Sequence, residues 1–228
     1  VTELLSILVS DPSFVILDKP TGLSVHKGWD RDPDNAMRRL KRQLGCWVWP
    51  VHRIDRATSG CLAMALDEDA ARSLSVAFAE HRVEKTYLAI VRGKPEDTFV
   101  VDHPLPRSDE DEERVPALTT FRRIASSLEG RYSLLEALPA TGRVHQIRRH
   151  LRHARHPLCG DTTWGDNKMN KVVRERGLLR MALHAWKLVV PHPRTGERVE
   201  AMAPLPADLR AALLGLGFAS SELDEVLT

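Results

Sequence analysis

Short apolar segments, each closed by a turn, set the strongest limit on what this chain can fold into. Phe14–Leu17 ends at Asp18-Lys19-Pro20-Thr21-Gly22, and residues 61–66 end at Asp67. Val83–Val91 ends at Arg92-Gly93-Lys94-Pro95, and Tyr132–Leu138 at Pro139-Ala140-Thr141-Gly142. Runs of this length between Gly, Pro and Asp read as strands. Residues 24–26, 98–101, 117–124 and 199–203 read as further short strands, residues 1–10 as a strand or short helix, and the apolar stretch 178–190 ends in a strand. Helical spacing is confined to residues 36–44, 70–79 (behind Asp67 as N-cap), 144–154 and 209–216. Residues 167–176 are polar and basic, and read as partly helical at best. Residues 102–115 form a charged, proline-containing connection expected to be mobile. Many strands with few, scattered helices predict an α+β fold rather than a doubly wound sheet.

Composition narrows the class. Of 228 residues, 43% are hydrophobic and 28% charged, which suits a globular chain with a real core. No apolar run approaches a membrane span, and no secretory leader is evident. The three cysteines, Cys46, Cys61 and Cys159, form no Cys-x-x-Cys pair. They read as small residues of a reduced, cytoplasmic compartment, without a disulfide framework or thiolate zinc site. Formal charge is only +2, yet it is unevenly spread. Residues 109–113 are all acidic. Residues 143–156 carry five arginines and four histidines with no acid among them. Such a concentration points to a polyanionic partner, or to a solvated helix balanced by neighbours. His150, His153 and His156 recur at threes, but arginines surround them and no carboxylate or thiolate accompanies them, which argues against a metal.

The loop His52-Arg53-Ile54-Asp55-Arg56-Ala57-Thr58-Ser59-Gly60 lies between apolar segments. Such a scaffold can fix a functional side chain. A carboxylate with cationic neighbours stays ionised, and an ionised aspartate can act as nucleophile or base. It can equally be half of a structural ion pair, and the local pattern leaves both readings open. The loop is not the kinase His-Arg-Asp sequence, since Ile54 intervenes and no Gly-rich phosphate loop exists. Lys19 reads as a phosphate ligand, a carboxylate partner or a solvated turn lysine. Lys85 and Tyr87 share a strand face, where the tyrosine is either an edge-of-core residue or a stacking surface for a planar ligand.

The loop resembles the signature of the RluA family of pseudouridine synthases, and other stretches agree in order. Leu17-Asp18-Lys19-Pro20-Thr21-Gly22 with Val25-His26 resembles the family's N-terminal motif, although Asn is usual where Asp18 stands. Residues 84–93 resemble its tyrosine motif. Thr141-Gly142-Arg143-Val144-His145-Gln146-Ile147-Arg148, continuing through His156-Pro157 and Gly160-Asp161, resembles its arginine motif. Leu183-His184-Ala185 resembles its late leucine motif.

The resemblance implies isomerisation of an RNA uridine to pseudouridine with no metal and no organic cofactor. It implies that Asp55 is the nucleophile and that Tyr87 packs on the flipped base and assists loss of the C5 proton. It implies that Arg148 pairs with Asp55 and that Leu183 walls the pocket. Lys19, His52, Arg53, Arg56, Lys85, Arg143, His145, Gln146, Arg149 and Arg152 are the expected RNA-binding residues. The implied architecture is one catalytic domain over residues 1–228, without an S4 RNA-binding domain. It has two packed α+β halves sharing a mixed, mainly antiparallel central sheet flanked by helices, with the cleft between them. The expected substrate is tRNA at uridine-65, a reading supported by Gly28-Trp29 to Leu40 and by residues 165–180. Trp164 replaces the tyrosine of many relatives. Another tRNA position, 23S rRNA, or an inactive RNA-binding homologue are the alternatives. A monomer is expected, with no membrane contact.

Overall fold

The computed structural model describes residues 4–26, 34–107, 111 and 113–227. In chain order the elements are β1 (Ser6–Ser10), β2 (Phe14–Lys19), α1 (Ala36–Leu44), β3 (Trp49–Pro50), β4 (Ser59–Ala65), α2 (Glu68–Ala79), β5 (Glu84–Arg92), β6 (Thr98–Asp102) and β7 (Leu105–Pro106). They continue with β8 (Arg114–Val115), β9 (Leu118–Ser126), β10 (Tyr132–Pro139), α3 (Gln146–His153), α4 (Asn167–Glu175), β11 (Leu183–Pro191), β12 (Arg198–Met202), α5 (Ala207–Gly215) and α6 (Ser220–Val226). The class is α+β, as expected, with mainly antiparallel strands and flanking helices. The chain divides into two compact units. One takes the chain up to Lys85 and then Ala185–Pro204; the other takes Thr86–His184 and the chain from Leu205 onward.

In the first unit β2 pairs antiparallel with β1 on one side and β4 on the other, and β11 pairs with β12. Alternation along the strands sorts the side chains. Phe14 and Ile16 of β2, with Cys61, Ala63 and Ala65 of β4, turn to the face covered by Ala70, Leu74 and Ala77 of α2. The small residues of β4 leave room for the helix. Asp67 caps α2 as predicted, accepting from the Ala70 amide at 2.9 Å. Cys61 and Cys159 are buried thiols and Cys46 is exposed; burial pushes the Cys61 thiol up to about 12.

Gly60, the second residue of β4, has φ +106°, and a Cβ there would sit 2.2 Å from the Ala185 carbonyl oxygen. Only glycine meets both conditions. Gly60→Ala is therefore expected to cost roughly 2–4 kcal/mol of stability, from left-handed strain plus overpacking. Chemical denaturation measures it, and an unchanged midpoint would refute the close approach.

In the second unit the strand order is β5-β10-β9-β6, all antiparallel. Tyr87 stands opposite Ala137. Arg122 of β9 donates to Glu136 of β10 at 2.8 Å. Helix α3 turns Ile147 and Leu151 inward, the spacing that identified it. His150 is fully buried beside them, its Nδ1 bonded to Thr119 Oγ1 (2.9 Å) and its Nε2 to the His103 carbonyl (3.0 Å). His153 stacks on His103. The histidine spacing is thus used in packing.

Three expectations need revision. Residues 167–175 form a complete helix, α4, because Asp166 caps the Lys168 and Met169 amides while Met169 and Val173, four apart, are both buried. The connection 102–115 contains the paired strands β7 and β8; its acidic tip falls largely outside the described residues. Ser24–His26 contributes an isolated bridge to Asn35 rather than a strand. The Gly28-Trp29 signal also lies outside the described residues. Among those described, no helix is long and apolar enough to cross a membrane.

Candidate active site

Asp55 sits in the segment joining β3 to β4, where Thr58 N donates to the Asp55 carbonyl (3.0 Å) to close a turn. Sequence-distant residues 19–23 grip this turn. Gly22 N donates to the Arg56 carbonyl (2.8 Å), Arg56 Nε returns a bond to the Gly22 carbonyl (2.8 Å), and Thr21 Oγ1 donates to the Ala57 carbonyl (2.8 Å). Lys19 lies at the centre. Its ammonium donates to the carbonyls of Leu23 (2.7 Å), Pro20 (2.8 Å) and Arg56 (3.2 Å).

Lys19 is therefore not the phosphate ligand expected. It is fully buried, and its three N–H donors are directed at three backbone carbonyls. The reading as a solvated turn lysine falls with it. The N-terminal motif serves the aspartate by fixing the turn that carries it.

His52 also departs from its expected RNA contact. Its Nε2 accepts from the Ala63 amide of β4 (2.9 Å), and its ring stacks on Phe78 of α2 with centroids 4.3 Å apart. Burial, with Lys85 as a lesser cause, pushes its pKa down to about 3, so the ring is neutral. Lys85 is itself half-buried, and desolvation draws its pKa down. Arg53 and Arg56 are exposed.

The second unit holds Tyr87, Arg148 and Leu183. Tyr87 is half-buried on β5, and Leu183 is buried at the first position of β11. Arg148 of α3 is 8% exposed, yet it lies on a basic helix with no acid of its own. A carboxylate comes from the turn beyond the helix. Asp161, 1% exposed, accepts from Arg148 Nε at 2.6 Å and Nη2 at 2.9 Å. Its Oδ1 also accepts the Thr163 (2.9 Å) and Trp164 (3.0 Å) amides. Burial alone would raise the Asp161 pKa, but the Arg148 guanidinium and the two amides outweigh it and hold the carboxyl below its ordinary range. Asp161 entered the sequence reading only as the tail of a motif. The missed signal is an acid that follows an uninterrupted basic segment.

The remaining predicted RNA ligands divide. Gln146 is a correction: its Oε1 accepts from Thr141 Oγ1 (2.7 Å) and Arg143 N (3.0 Å), and its Nε2 donates to the Leu118 carbonyl (2.9 Å) and Thr119 Oγ1 (3.0 Å). That uses its full hydrogen-bonding capacity, so it knits α3 to β9. His145, with φ 54°, is the left-handed residue before α3. Arg143 donates through Nε to the Pro116 carbonyl (3.2 Å), and Arg149 lies over the Trp164 ring, 4.5 Å from its centroid. Arg152 is exposed and free to meet a polyanion.

Residues 13–153 match the family model described as RNA pseudouridylate synthase. The chain belongs to that family and is an enzyme, an isomerase of uridine in RNA. Similarity to individual proteins is close over nearly the whole length. The tRNA pseudouridine synthase C of Vibrio cholerae serotype O1 is 37% identical over 241 residues, 96% of this chain and 99% of that one. The protein of the same name from Salmonella typhimurium is 39% identical over 236 residues, 94% and 91% respectively. Among solved structures, Human RNA Pseudouridylate Synthase Domain Containing 4 superposes with a TM-score of 0.78 at 26% identity, covering 94% of each chain.

Proposed function

We propose that this enzyme converts uridine-65 of tRNA to pseudouridine, as a cytoplasmic monomer built of one catalytic domain. The similarity to tRNA pseudouridine synthase C over nearly the full length of both chains carries this reading. In the reaction the C1′–N1 bond breaks, the base turns, a C1′–C5 bond forms, and a proton leaves C5 while N1 takes one up. Asp55 is the nucleophile. Attack at C1′ and attack at C6 both require its carboxylate ionised and held still. The grip of residues 19–23 on the Asp55 turn supports the second requirement. Tyr87 stacks on the extruded base and assists removal of the C5 proton. Arg148 supplies positive charge to the reacting carboxylate and the extruded nucleotide, and Leu183 provides apolar wall. Extrusion costs a few kcal/mol, offset by stacking and phosphate contacts. The exposed arginines 53 and 152 suit the latter.

Pseudouridine mapping across total RNA of a strain lacking the gene tests the assignment. The expected result is loss of the signal at tRNA position 65, restored by the wild-type chain. Loss at another tRNA position or in 23S rRNA would move the substrate, and loss nowhere would indicate an inactive RNA-binding protein.

A further inference from the structure

Where the chain leaves β3 for the Asp55 turn, a side chain takes over from the backbone. β3 pairs with β4 for only two residues, Trp49 with Ala65 and Pro50 with Met64. Amides two apart along a strand point to the same edge. The Ala63 amide therefore faces the same way as that of Ala65, but the backbone pairing with β3 has already ended. The His52 ring supplies the acceptor, with Nε2 2.9 Å from Ala63 N. Phe78 of α2 stacks on the ring at 4.3 Å and 16° and fixes its plane. One imidazole thus joins the loop to both β4 and α2, three residues before Asp55.

We propose that His52 is a positioning residue whose unprotonated Nε2 takes the place of a backbone carbonyl at the end of the β3–β4 ladder and so sets where the chain departs to present Asp55. The role deepens the proposed synthase reaction and rests on that reading, but the contact can be measured without it. Accepting from an amide requires a bare nitrogen, and this fixes the tautomer with its proton on Nδ1. RNA binding is not its task.

Three substitutions separate the possibilities. His52→Gln can place Oε1 near the Nε2 position, His52→Asn places its oxygen nearer Nδ1, and His52→Leu has no acceptor. His52→Leu and His52→Asn should lower kcat on the order of 10²-fold, the scale of an ångström-sized misplacement. KM and the tRNA Kd should stay within about threefold, and His52→Gln should recover kcat to within about fivefold of wild type. Amide exchange at Ala63 should be slow in wild type and Gln, and fast in Leu and Asn. If Gln and Asn behave alike, or if Kd worsens while kcat holds, the positioning role is overturned. Should His52→Leu not fold, the Gln–Asn comparison still decides. If wild type leaves tRNA unmodified, the substrate reading fails, and the Ala63 exchange pattern alone judges the contact.

Discussion

Asp55→Asn is expected to lower pseudouridine formation by at least ~10³-fold while changing RNA affinity by less than about threefold. The substitution is isosteric, so the turn closed by Thr58 and gripped by residues 19–23 has no reason to move; those bonds involve backbone carbonyls and the Lys19, Thr21 and Arg56 side chains, not the Asp55 carboxylate. What disappears is the charge and nucleophilicity that both attack routes need, since a neutral amide has neither. Affinity should survive because it comes mainly from phosphate contacts, and the exposed Arg53 and Arg152 are untouched. Single-turnover conversion of a tRNA transcript, read by carbodiimide-dependent primer extension, gives the rate; filter binding gives the affinity. Turnover within tenfold of wild type would remove Asp55 from the chemistry. A parallel collapse of affinity would make it a binding residue instead.

The strands of this protein were legible because their signals are local: apolar runs between turn residues, and an aspartate cap at the head of α2. The helix α4 was obscured by its basic composition, although Asp166 and the Met169–Val173 spacing mark it. The short α6 lies beyond the last apolar segment and was not anticipated. The placement of functional types was less legible than their presence. Lys19, His52 and Gln146 look from the sequence like residues waiting for RNA, since all three are polar and stand in motifs. Each satisfies backbone groups at a point where regular pairing stops. Lys19 serves three carbonyls, His52 one amide, and Gln146 an amide, a carbonyl and two hydroxyls. A loop that carries a catalytic group must leave the sheet, and the buried polar groups it leaves behind need partners. Polar motif residues next to such a loop therefore have two uses, and spacing alone does not separate them.

Asp161→Ala should be the most damaging change away from the nucleophile, because it breaks a buried charged pair on one side only. The Arg148 guanidinium would lose the Asp161 oxygens to which its Nε and Nη2 donate, and the Thr163 and Trp164 amides would lose the same acceptor. Breaking a buried pair by removing one partner costs about 3–5 kcal/mol, a large share of the ~5–15 kcal/mol that holds a typical domain together. For a chain of this size each kcal/mol lowers the melting temperature by roughly 2–4 °C, so a fall of about 6–20 °C is expected by calorimetry. The sign of the pH effect follows from the depressed Asp161 pKa. A carboxyl held below its unfolded value of ~3.9 contributes stability above that pH and loses it as pH falls through the folded pKa. Wild type should therefore lose stability on acidification below about pH 4 more steeply than the Ala variant. Arg148→Met combined with Asp161→Ala separates structure from function. Removing the cation as well should restore part of the lost stability, as replacement of both partners of a buried pair commonly does, while turnover should remain as low as in Arg148→Met alone. If Asp161→Ala keeps wild-type turnover below its melting point, Asp161 does no more than hold the turn after α3 in place. If the double variant regains turnover along with stability, Arg148 is not part of the reaction at all.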